Sequence, residues 1–308
     1  MAARAEQWLF VINRFSGGGR AASVWPQLES ALALTPLVYH AVFTCDNGHA
    51  VVLTENLLLQ GYRRFVVLGG DGTVNEVVNG LYRQPQLLKY CCLTAFPCGT
   101  GNDWAALHGL PGNLNAFVAM LQKPHFFWQD IGCATYQLQG QERCHYFVNF
   151  IGSGFDSYLL QQMGAAQGKR LKYFYYVLKC LRQYSAPVFT LVLDGQTVSA
   201  RALMVMACIG KYGGAGMIFA PDAEPGDHNF DLLHIADMPL LRRLTSLASL
   251  FNGRIARNRH VRNWRVPSLQ LQADECATFQ CDGEIVGQLP VTVNNAQMQL
   301  CIVVRSGQ

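Results

Sequence analysis

The sequence predicts an α/β domain followed by an all-β domain. An α/β domain covers residues 1–124, and an all-β sandwich or barrel with two inserted helices covers residues 125–308. Three observations carry this. Strand and helix patterns alternate through the first third, which implies a parallel sheet with helices on both faces. After Pro124 short strand-like runs dominate, separated by turn signals such as Asp194-Gly195 and Asp282-Gly283. The chain has 308 residues, half of them hydrophobic, enough for each part to bury its own core.

In order, residues 8–12 read as a buried strand and 21–34 as a helix weakened by Pro26. A strand at 37–43 and a helix at 49–59 follow. The apolar strand 65–68 runs into Gly69-Gly70-Asp71-Gly72, then a helix at 73–82 and a strand at 92–96. Beyond Pro124, strands are expected at 146–150, 188–193, 201–209, 230–235, 268–271, 278–281 and 298–304, with helices at 169–183 and 239–251. Met204 and Met206 alternate along a strand and read as core; Trp8, Trp104 and Trp128 read as packing residues.

Composition excludes several classes. Only 14% of residues are charged, so the chain is not disordered, and a net charge of +4 without a basic-aromatic signature does not point to nucleic acid. The 11 cysteines show no zinc spacing and no CxxC pair, so they read as buried free thiols in a reducing cytosol. The first residues lack the apolar stretch of a signal peptide, and no run of 18 apolar residues occurs.

Four loops carry chemistry. In Leu68-Gly69-Gly70-Asp71-Gly72-Thr73-Val74-Asn75-Glu76, a buried strand ends in glycines around one aspartate and enters a helix. Glycines let a phosphate approach the backbone, and free amides at the helix start attract anions. Thr73 and Glu76 fit a capping box. Asp71 would sit beside the phosphates and hold Mg²⁺ directly or through water. The loop Pro97-Cys98-Gly99-Thr100-Gly101-Asn102-Asp103 also follows a strand, where Thr100 can donate to a phosphate and Asp103 reinforce a metal site. The loop Asn13-Arg14-Phe15-Ser16-Gly17-Gly18-Gly19-Arg20 is a third phosphate cradle; Gly17-x-Gly19-x-x-Ala22 loosely matches a dinucleotide fingerprint. Asp282-Gly283-Glu284 offers carboxylates for abstracting a hydroxyl proton, although Asp-Gly is also a common hairpin turn.

Taken together, these residues resemble the diacylglycerol kinase catalytic family, which includes bacterial diacylglycerol and related lipid kinases and eukaryotic sphingosine kinases. The matches are Gly69-Gly70-Asp71-Gly72-Thr73 with Asn75-Glu76, Gly99-Thr100-Gly101-Asn102-Asp103, Gly152-x-Gly154-Phe155-Asp156, and Asp282-Gly283-Glu284. The resemblance implies an N-terminal three-layer α/β domain that binds ATP, a C-terminal β-sandwich domain that holds lipid, whose segment near 290–308 is able to pack back on the first domain, and an active site in the cleft. It implies a nucleotide site lined by Asn13, Ser16, Gly17, Thr44, Gly70, Asp71, Gly72, Thr73, Asn75, Glu76, Thr100 and Asn102, with Asp71 and Asp103 organising Mg²⁺. Glu284 would be the general base, with Asp282 its partner or its competitor. Two departures stand out. Arg14 replaces the family's proline in the first loop. In the segment where bacterial members carry a structural Mg²⁺, His228 replaces glycine, while Asp227 survives as a ligand and carbonyls near Glu224 and Asn229 could join it.

A lipid kinase must meet its substrate at a membrane surface. The stretch 169–179 mixes lysines, arginine and aromatics at helical density, and Arg242, Arg243, Arg254, Arg257, Arg259 and Arg262 form a second basic stretch. The expectation is a cytoplasmic protein transiently at the inner face of the membrane, with ATP and a lipid, most of all diacylglycerol, as partners, no nucleic acid, and a homodimer left open. A sphingoid base or another lipid alcohol is the alternative acceptor. An NAD kinase shares the Gly-Gly-Asp-Gly-Thr loop, but Asn75-Glu76 and the Gly-Thr-Gly-Asn-Asp loop speak against it. A non-catalytic binding module and a dinucleotide-dependent oxidoreductase are the remaining rivals.

Overall fold

A computed structural model describes residues 2–163 and 170–306. They form two compact units, Met1–Ile131 with Gln297–Gln308, and Gly132–Ala296. The first contains α1 (Ala2–Ala5), β1 (Trp8–Ile12), α2 (Ser16–Leu32), β2 (Tyr39–Phe43), α3 (His49–Leu59), β3 (Arg64–Gly69), α4 (Asp71–Leu81), β4 (Cys92–Pro97), α5 (Asp103–Leu107), α6 (Leu114–Gln122) and β5 (His125–Gln129). The second contains β6 (Gly132–Leu138), β7 (Gln141–Phe147), β8 (Phe150–Gly154), α7 (Phe155–Met163), α8 (Arg170–Gln183), β9 (Val188–Leu193), β10 (Gln196–Cys208), β11 (Tyr212–Gly213), β12 (Met217–Ile218), β13 (Phe230–Ala236), α9 (Leu240–Leu250), β14 (Val261–Val266), β15 (Ser268–Ala273), β16 (Thr278–Cys281), β17 (Glu284–Gln288) and β18 (Val291–Asn295). The last strand, β19 (Leu300–Val304), returns to the first unit.

The first unit is an α/β domain on a sheet ordered β2-β1-β3-β4-β19-β5. β1 pairs in parallel with β2 and β3, and β3 with β4. Every residue of β1 is buried, as a strand covered on both faces requires. The chain lays β2 on one side of β1 and β3 on the other. The order therefore reverses at β1, and the loops leaving β1 and β3 open at that switch point. α3 packs on α4, and α2 on α6. β4 leaves an open edge, which β19 fills in parallel, and β5 then pairs antiparallel with β19. The first unit thus extends past the expected boundary at 124. Trp128, on the edge strand β5, is exposed rather than packed.

The second unit is an antiparallel β-sandwich. β10 is long enough to serve both layers: Gln196–Arg201 pairs with β9, whereas Ala202–Cys208 pairs with β8 and β13. Phe147, Phe189, Phe230 and Phe279 fill the space between the layers. The other face of β8, β10 and β13 is covered by α7, α8 and α9 through Phe155, Leu159, Leu181, Met204, Met206 and Leu250, so both methionines are core residues. Two expectations need correction. Residues 146–150 are not one strand: β7 ends at Phe147 and β8 begins at Phe150, because the amides between them turn to a side chain described below. The cysteines are not all free, since Cys133 and Cys144 form a disulfide between β6 and β7.

The helix that opens on Asp71 is held by a close crossing. A Cβ on Gly80 would lie 2.5 Å from the Val51 carbonyl oxygen and 2.8 Å from Thr54 Cβ. Gly80→Val forces α3 and α4 apart and should destabilise the protein by about 1–3 kcal/mol. Thermal unfolding checks this, and an unchanged midpoint would contradict the packing described.

Candidate active site

β1, β3 and β4 run parallel, so the turns that follow them emerge at one edge of the sheet. Their glycines are sterically required. A Cβ on Gly70 would lie 2.8 Å from Gly99 Cα and 3.4 Å from Ser16 Oγ; a Cβ on Gly99 would lie 2.5 Å from Gly70 Cα. A Cβ on Gly17 would lie 2.0 Å from the Cys98 carbonyl oxygen, and Gly17 is left-handed besides, at φ 61°. Side chains tie the turns together. Asn13 Nδ2 donates to Thr73 Oγ1 at 3.0 Å, while its Oδ1 accepts the Phe15 amide at 3.1 Å. The Ser16 amide donates to the Asn13 carbonyl, and the amide of Thr44, just past β2, to that of Ile12. Asn102 closes the third turn on itself: Oδ1 accepts the Gly99 amide at 2.7 Å and Nδ2 donates to the Gly99 carbonyl at 2.9 Å. Thr100 is exposed on that turn, while Thr73 and Asn75 are buried in α4.

α4 starts immediately after Gly70, so the amides of Asp71, Gly72 and Thr73 lack intrahelical acceptors and make an anion site reinforced by the helix dipole. Asp71 is oriented by two amides: Oδ2 accepts from Asp103 at 3.1 Å and Oδ1 from Trp104 at 3.0 Å. Mg²⁺ demands only one or two protein carboxylates beside phosphate oxygens and water, and each Asp71 oxygen keeps a further lone pair. Asp71 with the buried Asp103 beside it fits that demand. Among the described residues, no group of three or more His, Cys, Asp or Glu side chains could hold an ion unaided.

Glu76 does something the sequence did not reveal. The Thr73–Glu76 capping box does not form; the N-cap of α4 is Gly70. Glu76 instead accepts the Gly48 amide at 2.8 Å and the Ala50 amide at 3.1 Å, capping α3 from a distance. Sequence reasoning also missed the support of α5. Gln129 Oε1 accepts from Trp104 Nε1 at 2.8 Å and from His108 Nε2 at 2.7 Å. Burial pushes the His108 pKa down to about 4, so the imidazole is neutral at pH 7. No local signal in the sequence marks these three residues as one network.

In the second unit, Asp282 and Gly283 have φ of 49° and 89° and turn the hairpin between β16 and β17. The Asp282 carboxylate accepts three amides, from Val148 at 2.8 Å, Asn149 at 2.8 Å and Phe150 at 3.1 Å. That bonding separates β7 from β8. Glu284, the first residue of β17, is exposed. At the other expected metal position, Asp227 Oδ1 accepts the Asn229 amide at 2.8 Å, and its Oδ2 is ion-paired with Arg265. A guanidinium thus stands beside the carboxylate expected to hold that metal. His228 accepts the left-handed φ of 62° that a glycine would adopt without strain.

Comparison with known proteins matches residues 7–131 to the diacylglycerol kinase catalytic domain and residues 149–304 to the YegS C-terminal NAD kinase beta sandwich-like domain. Among similar sequences, "Putative lipid kinase YtlR" of Bacillus subtilis (strain 168) is 26% identical over 96% of this chain and 99% of its own. "Probable lipid kinase YegS-like" of Yersinia pestis (strain Pestoides F) is 29% identical over 80% of this chain and 81% of its own. A crystal structure from Bacillus anthracis str. Sterne, described as a putative diacylglycerol kinase, shares the fold with a TM-score of 0.77 at 22% identity over 99% of both chains.

Replacing Asp282 by Ala orphans three buried amides, each worth about 1–3 kcal/mol. Asp282→Ala should therefore lower the thermal midpoint far more than Asp282→Asn, which keeps one acceptor oxygen; equal midpoints for the two variants would contradict the anchoring role.

Proposed function

The chain belongs to the diacylglycerol kinase catalytic-domain family of lipid kinases, and from that premise we propose that it moves the γ-phosphate of ATP onto the hydroxyl of diacylglycerol. The hydroxyl oxygen attacks the γ-phosphorus, the bond to ADP breaks, and the hydroxyl proton passes to Glu284. The amides of Asp71, Gly72 and Thr73 take the phosphates, with Asn13, Ser16, Gly17, Thr44, Asn75 and Thr100 shaping the nucleotide site. Asn102 and Glu76 act indirectly, by holding the third turn and α3 in place. Asp71 and Asp103 would hold Mg²⁺, which when bound offsets the charge on the phosphate oxygens. Glu284 is preferred to Asp282 as base because Asp282 already accepts three amides. The single observation carrying the nucleotide reading is the contact of Gly70 with Gly99 beside the free start of α4.

For the lipid side, no helix among the described residues is long and apolar enough to cross a membrane. α8, α9 and Phe251 just past α9 nevertheless carry exposed apolar side chains, Tyr175, Leu178, Leu240, Leu241 and Phe251, and the same helices carry the exposed cations Lys179, Arg182 and Arg242. We assign this face to transient docking on an anionic, cytoplasmic leaflet. Lys169 lies outside the described residues. Arg243 does not belong to the face: it donates to the Leu181, Tyr184 and Met238 carbonyls and pairs with Asp237.

With γ-³²P-ATP, Mg²⁺ and a total lipid extract, the purified protein should label a lipid that co-migrates with phosphatidic acid. Glu284→Ala should reduce the label by about 10²–10⁴-fold, and Asp71→Ala should abolish it. Full labelling by both variants, or label in NADP when NAD is supplied, would defeat the reading. Leu241→Asp with Phe251→Asp should release the protein from sedimenting phosphatidylglycerol vesicles without lowering its thermal midpoint, whereas unchanged sedimentation would refute the docking face.

A further inference from the structure

We propose that Asp156, acting through Gln280, is a positioning residue for the turn that carries Glu284. The inference rests on the assignment of Glu284 as base for its catalytic consequence, though not for its geometry.

Gln280 is the residue before Cys281 on β16 and is 1% exposed. Both ends of its amide are used. Oε1 accepts the Gly283 amide at 2.8 Å, and Nε2 donates to Asp156 Oδ2 at 2.9 Å. An ionised carboxylate only accepts, so Asp156 dictates which end of the Gln280 amide faces it. With the NH₂ group turned to Asp156, the carbonyl oxygen must face the turn and catch Gly283. A flipped Gln280 would set its NH₂ against the Gly283 amide, donor against donor. Asp282 is anchored on its other side by the amides of Val148, Asn149 and Phe150. Two independent ties therefore hold the residues immediately before Glu284.

Asp156 is placed for this task at some expense. It lies in the first turn of α7, next to the apolar layer of Phe155, Leu159, Met204 and Met206. Its Oδ1 is buried with no hydrogen-bond partner. Burial pushes its pKa up to about 6, opposed by the Gln280 bond and by the amides of Ser157 and Asp156 itself. A side chain needed only to fill space there would be apolar. The strand opposite makes room: a Cβ on Gly152 would lie 2.1 Å from Asp156 Oδ2 and 2.8 Å from Gln280 Nε2. Gly152 and Asp156, part of a motif whose role the sequence left undefined, become two halves of one strut.

Two readouts on the full chain test this. Hydrogen exchange at the Gly283 amide reads the strut without any substrate. Asp156→Ala and Gln280→Met should speed exchange there at least about 10-fold, as loss of a buried hydrogen bond implies, while Asp156→Asn, whose carbonyl still accepts from Gln280, should restore protection. In the labelling assay with total lipid extract, Asp156→Ala and Gln280→Met should lower kcat by about 10- to 100-fold, the range a misplaced catalytic group produces, with KM for ATP unchanged. The double variant should be no worse than either single one, because the two residues act as a unit. If Met at 280 prevents folding, Gln280→Glu, which sets a carboxylate against Asp156, must show the same exchange defect. Unchanged Gly283 protection in these variants would overturn the strut. So would Asp156→Asn losing as much kcat as Asp156→Ala, since the charge would then matter rather than the bond. Full transfer by Glu284→Ala would remove the base assignment separately, and the exchange measurement would still decide the strut.

Discussion

The near-contact of two backbones, Gly70 against Gly99, is the constraint on which the first unit's chemistry depends. Neither position tolerates a Cβ without displacing the other strand's turn. The approach brings the turn after β3 and the turn after β4 together, with Ser16 from the turn after β1 alongside. It is possible because β1, β3 and β4 run parallel with adjacent registers, so their ends fall at one level. For the proposed nucleotide site, helix amides and glycine backbones at the start of α4 would supply the positive end.

Carboxylates define the rest, and they divide by what their oxygens already do. Glu76 caps α3, Asp282 binds the corner between β7 and β8, and Asp227 neutralises Arg265. Asp71 is oriented by two amides yet keeps lone pairs for a cation. Glu284 is exposed on the first residue of a strand. Motif residues in one line of sequence thus serve different ends: Asp282 builds the turn, Gly283 is held by Gln280, and Glu284 opens β17.

Much of this was legible in the sequence because its signals are local. The continuous apolar run of β1, the strand-to-glycine transition at 65–72 and the Asp-Gly turns each encode their own geometry within a few residues. What escaped depends on partners far along the chain. Nothing near Glu76 shows that its oxygens face Gly48 and Ala50, so a local capping box looked sufficient. The split of residues 146–150 follows from Asp282, more than 130 positions away. The Cys133–Cys144 disulfide requires knowing that β6 and β7 are neighbours, and the exposure of Trp128 requires knowing that β5 is an edge. Arg265 at Asp227 follows from the pairing of β13 with β14.

The most direct test of the central claim is equilibrium binding of Mg²⁺-ATP, by calorimetry, to Gly70→Ala and Gly99→Ala beside the parent protein. One methyl group at either position must separate the two turns. The account predicts that binding weakens at least about 10-fold in both variants, the loss expected when preorganised contacts are displaced, while each still unfolds cooperatively. Parental affinity in both variants would mean that the nucleotide, if bound at all, is not held where these backbones meet.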